Sequence, residues 1–295
     1  MNKYLIFRTD RIGDFLLSAI LIRTIKRNSP NSFVRVLASK KNFEYIKSFK
    51  DVDDVVLNNK NYFSQLKILK NLKKDNYSAI IIHDNKKRSN FLSFFLNSPL
   101  KIKNNPNSKE SHIYNIKDII SKLGIDFSNE DLNILENRSY TNEKDLPNDY
   151  IVFHFDEKWI HGKYINHYTN IEPTLEEFTN FLSDLSKKTE KNLVITTGLQ
   201  SPEILKKAIK VLNNSKINFF ENLNFLEIES IISSCNLLIS CHGAVSHVCA
   251  AKNIKQVDII DKSYNYSSWS DHFRNYNYIY RTKFSSLSKN ILDII

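Results

Sequence analysis

Two kinds of hydrophobic pattern alternate along this chain: short unbroken apolar runs, and longer stretches with helical spacing. Tyr4 to Phe7 is the first run. A charged turn, Arg8 to Asp14, follows, and then apolar residues at Phe15, Leu16, Ala19, Ile20, Ile22 and Ile25 mark a helix ending near Pro30. The pattern then predicts a strand over 33–38, a helix over 42–49, a strand over 52–57, a helix over 62–74, a strand over 78–83, a helix over 89–96, a strand over 100–102, and a helix over 112–123 stopped by Gly124. Strand and helix in regular alternation predict a parallel, doubly wound α/β sheet.

Between residues 126 and 148 the pattern thins, and polar residues such as Asn137, Arg138, Ser139, Thr141 and Asn142 precede Pro147. A linker here divides the chain into domains 1–148 and 149–295. The second series starts with a strand over 150–155 and a helix over 175–187. Then come strands over 192–197, 217–220, 237–240 and 256–260, with helices over 202–212, 226–234 and 246–252 between them. The tail from Ser263 to Arg281, rich in Tyr and Asn, has weak periodicity and no expected element, and a closing helix covers 287–295. Two such domains are expected to face each other across a cleft, a common place for a ligand.

Composition changes this picture little, but charge distribution changes it more. Of 42 Lys+Arg, 26 lie in residues 1–150 against 17 Asp+Glu, whereas residues 151–295 hold 16 against 15. The basic first half suits an anionic surface or substrate, although a solvated basic surface explains the same excess. Cys235, Cys241 and Cys249 are an odd number without paired spacing, which suits a reduced, cytoplasmic protein. No apolar run approaches the roughly 20 residues of a membrane span, so any contact with the inner membrane is expected to be peripheral, at its cytoplasmic face.

In open α/β sheets ligands meet the loops at the carboxyl ends of strands, where the Arg8–Asp14 turn lies. Gly13, one of five glycines, permits close backbone approach, and Asp14 has the chemistry of a general base for a hydroxyl proton. Asp14 reads equally well as a residue that favours the positive end of the following helix.

Arg8, Asp10, Ile12, Gly13, Asp14, the apolar helix and Pro30 together resemble the N-terminal signature of glycosyltransferase family 9, the heptosyltransferases of lipopolysaccharide core synthesis. The resemblance implies a GT-B type fold of two Rossmann-like domains, the first on the acceptor side and the second binding the nucleotide sugar, with Asp14 as catalytic base and Arg8, Arg11 and Gly13 beside the acceptor. Residues 231–261 resemble the family's later helix, strand, glycine loop and helix, with matches at Gly243, His247, Ala250 and Ala251. A glycine turn opening a helix offers backbone N–H groups and a positive dipole end to a diphosphate, which nominates Gly243, Ala244 and Val245; a turn before a packed helix is the plain alternative. The family's Asp-Thr pair falls on Cys241-His242, and Gly243 and His247 stand one residue further apart than in the family pattern. Cys241, His242, His247 and Cys249 do not form a recognised metal-ligand pattern, so no metal is expected.

Three further candidates come from the second half. Lys158, in a segment loosely like the family's Lys-x-Trp, would neutralise a leaving diphosphate, or is an exposed loop lysine. Trp159, His161 and the aromatic residues up to Tyr168 either line a donor pocket or form a packed loop, and Glu203 would hold a ribose hydroxyl or simply favours the first turn of its helix. Dinucleotide, Walker A and Gly-x-Ser-x-Gly motifs are absent, as is any nucleic-acid module. The expected function is an inverting glycosyl transfer from a nucleoside diphosphate sugar, an ADP-sugar foremost, to an anionic glycan or glycolipid hydroxyl. No cofactor and no nucleic-acid partner are expected, and Lys86, Lys87 and Arg88 would help to steer the acceptor or a membrane surface. Against this stand a protein of the same fold that binds without transferring, suggested by Cys241-His242, and an unrelated basic α/β protein that binds nucleic acid.

Overall fold

The computed structural model describes the chain except residues 60, 105–109, 137, 141–144, 161, 164–166 and 213. Of the residues singled out above, Asn137, Thr141, Asn142 and His161 therefore lie outside the described ones. The chain forms two compact units, Met1–Ile134 with Ser267–His272, and Leu135–Tyr266 with Phe273–Ile295. The short segment Ser267–His272 thus packs with the first unit although it lies late in the chain.

In the first unit β1 (Lys3–Arg8), β2 (Phe33–Ala38), β3 (Asp54–Leu57), β4 (Ala79–Ile82) and β5 (Leu100–Lys103) form one sheet in the order β3-β2-β1-β4-β5. Every pairing is parallel, with Phe7 opposite both Leu37 and Ile82. The connecting helices are α1 (Ile12–Asn28), α2 (Phe43–Lys47), α3 (Tyr62–Leu72) and α4 (Lys87–Phe94), and α5 (His112–Lys122) packs on α1. Phe15 through Ile22 of α1 are all buried. Such a helix, apolar almost all round, is stable only when sandwiched, and each large side chain it buries contributes about 1.5–3 kcal/mol.

The second unit holds β6 (Tyr150–His154), β7 (Asn192–Thr196), β8 (Ile217–Phe220), β9 (Leu237–Cys241), β10 (Lys255–Ile260) and β11 (Tyr276–Tyr280) in the order β11-β10-β9-β6-β7-β8, again all parallel. Its helices are α6 (Leu175–Thr189), α7 (Glu203–Val211), α8 (Phe225–Ile232) and α9 (Ala244–Lys252). The short α10 (Ser267–Ser270) belongs to the first unit, and α11 (Phe284–Ile294) packs on α6 and β11. The core gathers Phe153, Phe155, Trp159 and Phe178 with Phe284, Leu287 and Ile291 of α11. Tyr140 and Arg138, from the polar segment before β6, bond the buried Glu229 of α8 at 2.7 and 2.8 Å.

β11 corrects the expectation of an irregular tail. It pairs with β10 as an edge strand, Tyr276 opposite Gln256 and Tyr280 opposite Ile260. Only Ile279 is buried, so its sequence, YNYIY, carries tyrosine and asparagine where a central strand would carry aliphatic residues.

Candidate active site

Each sheet has one point where successive connections leave in opposite directions along the sheet: between β1 and β4 in the first unit, and between β6 and β9 in the second. Crevices outside the carboxyl ends of strands open at such points. The first point is lined by the Arg8–Asp14 turn, the second by Asp156–Lys158 and Cys241–Gly243.

Buried polar contacts fix the first turn. The Thr9 amide and hydroxyl donate to Asp84 Oδ2 at 3.1 and 2.5 Å, Ser39 Oγ donates to the Asp10 carbonyl at 3.1 Å, and Asn42 Nδ2 donates to the Arg8 carbonyl at 2.9 Å. Arg8 itself is buried, and its Nε donates to Ser18 Oγ at 2.6 Å; Ser18 in turn lies 2.7 Å from His83 Nδ1. Its Nη1 pairs with Asp10 Oδ2 at 2.9 Å, while Asp10 Oδ1 is buried without a hydrogen-bond partner among the described residues. Burial raises the Asp10 carboxyl above its usual range and the Asp14 charge adds to this, with Arg8 and Lys86 opposing. Burial pushes His83 well below an ordinary imidazole, as does Arg8. Burial also lowers His112 to about 4, again helped by Arg8. The His112 ring lies 3.9 Å from that of Trp269.

Asp14 is half-buried at the third position of α1, where its Oδ2 accepts the Arg11 amide at 3.2 Å. Both readings of this residue therefore meet in one place: the carboxylate caps the helix, and it does so at the mouth of the strand-end turn. Gly13 is the second residue of α1 and Arg11 its exposed N-cap.

In the second unit, Asp156 and Lys158 form a buried ion pair immediately beyond β6. Burial alone would neutralise both. The ammonium of Lys158 nevertheless holds Asp156 well below the usual carboxylate range, helped by His154, and Asp156 holds Lys158 above its ordinary value. Lys158 Nζ stands 2.9 Å from the point where a β-carbon on Gly243 would lie, so the absent side chain leaves the ammonium at the start of α9. Gly243, Ala244 and Val245 form the cap and first residues of that helix, and Val245 is buried. Arg281, after β11, donates from Nη2 to the Lys158 carbonyl at 2.9 Å and from Nη1 to Cys241 Sγ at 3.6 Å. Burial pushes the Cys241 thiol up to about 12 although Arg281 opposes it, so the thiol stays protonated.

His242 is held from behind. Its Nδ1 lies 2.6 Å from Oδ2 of the fully buried Asp258, whose Oδ1 accepts Ser246 Oγ at 2.7 Å and Ser240 Oγ at 3.3 Å. A ring nitrogen facing a carboxylate carries the proton, which makes Nε2 the variable side of the ring. Tyr266 and Phe273 flank the ring at 4.9 and 6.1 Å, and His247 is buried edge-on to Phe273 at 5.2 Å.

Other candidates lie elsewhere. Trp159 is fully buried, with Nε1 donating to the His154 carbonyl at 3.0 Å, so it belongs to the packed aromatic core. Glu203 is on the exposed first turn of α7, paired with Lys206 at 2.8 Å. Lys86, Lys87 and Arg88 are exposed at the start of α4, with Lys86 Nζ donating to the Thr9 carbonyl at 2.7 Å. Among the described residues no three His, Cys, Asp or Glu side chains converge as metal ligands.

Sequence reasoning missed Asp156, Asp258 and Arg281. The first two had a signal, an acid inside or just after an apolar strand, where burial demands a partner. Arg281 had none, because its partners are more than a hundred residues earlier for Lys158 and 40 earlier for Cys241.

Two doubly wound parallel-sheet units, each with its polar loops at the switch point, place this chain in the GT-B class of fold. Among solved structures, it resembles E. coli heptosyltransferase WaaC with ADP at a TM-score of 0.75 and 11% identity, over 99% of this chain and 100% of that one. E. coli ADP-heptose LPS heptosyltransferase II follows at 0.69 and 14%, covering 99% and 97%. A glycosyl transferase of family 9 from Veillonella parvula gives 0.69 and 12%, covering 100% and 90%. No protein-family model matches the chain, and no curated protein matches it in sequence, so the likeness is one of fold.

Proposed function

We propose that the protein is a glycosyltransferase that moves a sugar, with inversion, from a nucleoside diphosphate to a hydroxyl of a glycan or glycolipid. The observation that carries this reading is Lys158, whose ammonium is held over Gly243 at the start of α9. The Gly243 amide donates to Ser246 Oγ at 3.2 Å; the Lys158 cation, the next backbone N–H groups of α9 and the helix dipole then act on one diphosphate, and they stabilise the charge that grows as the glycosidic bond breaks. Asp14 takes the proton of the attacking hydroxyl, and its bond to the Arg11 amide fixes the carboxylate at the turn. The hydroxyl oxygen bonds to the anomeric carbon as the diphosphate leaves from the opposite face.

We put ADP-sugars first among donors, a choice supported by the likeness to a heptosyltransferase solved with ADP, and an anionic glycolipid first among acceptors, supported by the basic first half of the chain. Calorimetric titration with ADP, UDP, GDP and TDP tests the donor half: one diphosphate binds, and Lys158→Met weakens it about tenfold or more, as the loss of a charge-assisted contact requires. Equal weak binding of all four, unaffected by Lys158→Met, contradicts the assignment. Cys241 favours a second reading, binding without transfer, because a buried protonated thiol stands where the resemblance places a carboxylate. Donor binding without turnover on any acceptor is its signature.

A further inference from the structure

The side chains of α4 run against the usual polarity of a surface helix. Its inward face is Ser89, Leu92 and Ser93, all buried, with Leu96 just beyond. Its outward face carries Phe91, 63% exposed, and Phe94, 78% exposed, joined by Phe95 at the C-cap, 39% exposed. Phe95 touches both other rings, Phe91 at 5.0 Å and Phe94 at 5.4 Å, each edge to face. A lone exposed phenylalanine needs no explanation, but a contiguous cluster beside inward-facing serines marks an interaction surface.

The exposed charge along it has one sign, since Asp84, at its start, is half-buried and bonds Ser89. Lys86, Lys87 and Arg88 are exposed at the start of the helix, and residues 86–103 contain five Lys/Arg and no Asp or Glu. Lys101 Nζ donates to the Ser93 carbonyl, bringing a further cation against the helix. α3 packs on the same apolar core and exposes Phe63 and Leu66 beside Lys67 and Lys70. Aromatic rings whose exposed charged neighbours are cations, with Asp84 and Asp75 half-buried and held in hydrogen bonds, fit a lipid interface, where phenylalanine enters the boundary between headgroups and chains while Lys and Arg meet phosphate.

We propose that the face of α4 bearing Phe91, Phe94 and Phe95, flanked by Lys86, Lys87 and Arg88, docks the protein on an anionic lipid bilayer. Three rings on a short helix give weak, reversible, salt-sensitive attachment. The patch adjoins the Arg8–Asp14 turn, because Lys86 bonds the Thr9 carbonyl and Asp84, just before α4, receives the Thr9 amide. On the transferase reading, the acceptor would then be a lipid-linked glycan presented at the bilayer. The docking itself does not rest on that reading.

The test is cosedimentation of the full chain with vesicles of phosphatidylethanolamine and phosphatidylglycerol, against vesicles of phosphatidylcholine alone, with no donor present. The parent is expected to bind the anionic vesicles, to ignore the neutral ones and to be released by 0.5 M NaCl. Phe91→Ser/Phe94→Ser and, separately, Lys87→Glu/Arg88→Glu should each lower the partition coefficient about tenfold or more. Phe94→Ser alone, at the most exposed ring, serves as the conservative variant if either double variant melts early, and it should give a smaller loss in the same direction. Failure of the parent to bind anionic vesicles overturns the proposal, as does equal binding by all the variants. So does a concentration-dependent dimer abolished by Phe91→Ser/Phe94→Ser in a chain that ignores vesicles. Nucleotide binding, measured without vesicles, tests the transferase reading separately, and neither result decides the other.

Discussion

Lys158 occupies the space that a side chain on Gly243 would take, with its Nζ 2.9 Å and its Cε 3.1 Å from the ideal β-carbon position. The backbone at Gly243 is extended, φ 176°, and imposes no need for glycine. The requirement is the ammonium's position. Gly243→Ala is expected to displace the Lys158 ammonium within its buried pair with Asp156, so it should cost clearly less stability than removing the charge while weakening nucleotide diphosphate binding about tenfold. Calorimetry and thermal melts on the same sample check both halves; a large loss of stability with intact binding contradicts the account.

Asp156 and Lys158 hold each other's charge in a buried site, so removing one strands the other. Lys158→Met should cost about 3–5 kcal/mol of stability, and Lys158→Met/Asp156→Asn should recover most of it without recovering nucleotide binding. The pH dependence has a definite sign. Asp156 is depressed when folded, so its contribution is present above the unfolded carboxyl value of about 4 and is lost as pH falls further toward the folded value. Lys158 is raised, so its contribution persists through neutral pH and is lost only as pH climbs through its elevated value. Urea midpoints between pH 7 and 2 should fall more steeply for the parent than for the double variant.

His112, unlike an unshifted exposed histidine, makes stability depend on pH on the acid side. Burial first, and Arg8 next, lower it to about 4, so the folded protein stays unprotonated there while the unfolded chain takes up a proton below about 6.5. Stability is expected to decline as pH falls from about 6.5 to about 4 and then to stop changing on this account. His112→Gln should reduce that loss, with the part due to buried His83 remaining. An NMR titration midpoint near 6.5 for the His112 ring contradicts the assignment.

Asp258 fixes which nitrogen of His242 carries a proton. Nitrogen-15 shifts at neutral pH should show Nδ1 protonated, and Asp258→Asn should shift the tautomer and cost about 1–3 kcal/mol. His242→Ala should also destabilise, because it strips Oδ2 of the buried Asp258 of its partner while Ser240 and Ser246 serve Oδ1. An Nε2–H tautomer in the parent contradicts the geometry.

Much of the fold is legible in the sequence because its signals are local. Apolar runs such as AIII at 79–82 and the sandwiched α1 announce themselves by composition, and their alternation determines a parallel sheet. β11 escapes because an edge strand with one buried residue need not be aliphatic. α4 is found as a helix, but its inverted faces are not, since spacing gives the faces and not which one meets the core. The same limit applies at the candidate site. Asp14, Lys158 and Gly243 stand out by residue type and neighbours, whereas the contacts that decide their chemistry, Asp156 beneath Lys158 and Asp258 behind His242, depend on which strands adjoin.

The central claim is that Asp14 is the base of a sugar transfer, and turnover measured on Asp14→Asn tests it most directly. With the donor and acceptor that the parent uses, kcat is expected to fall about 100-fold or more while donor affinity stays within about twofold, because the substitution removes proton acceptance and leaves the second unit untouched. The lost cap should cost only about 1 kcal/mol, which a thermal melt verifies. Full-rate transfer by Asp14→Asn would contradict the account.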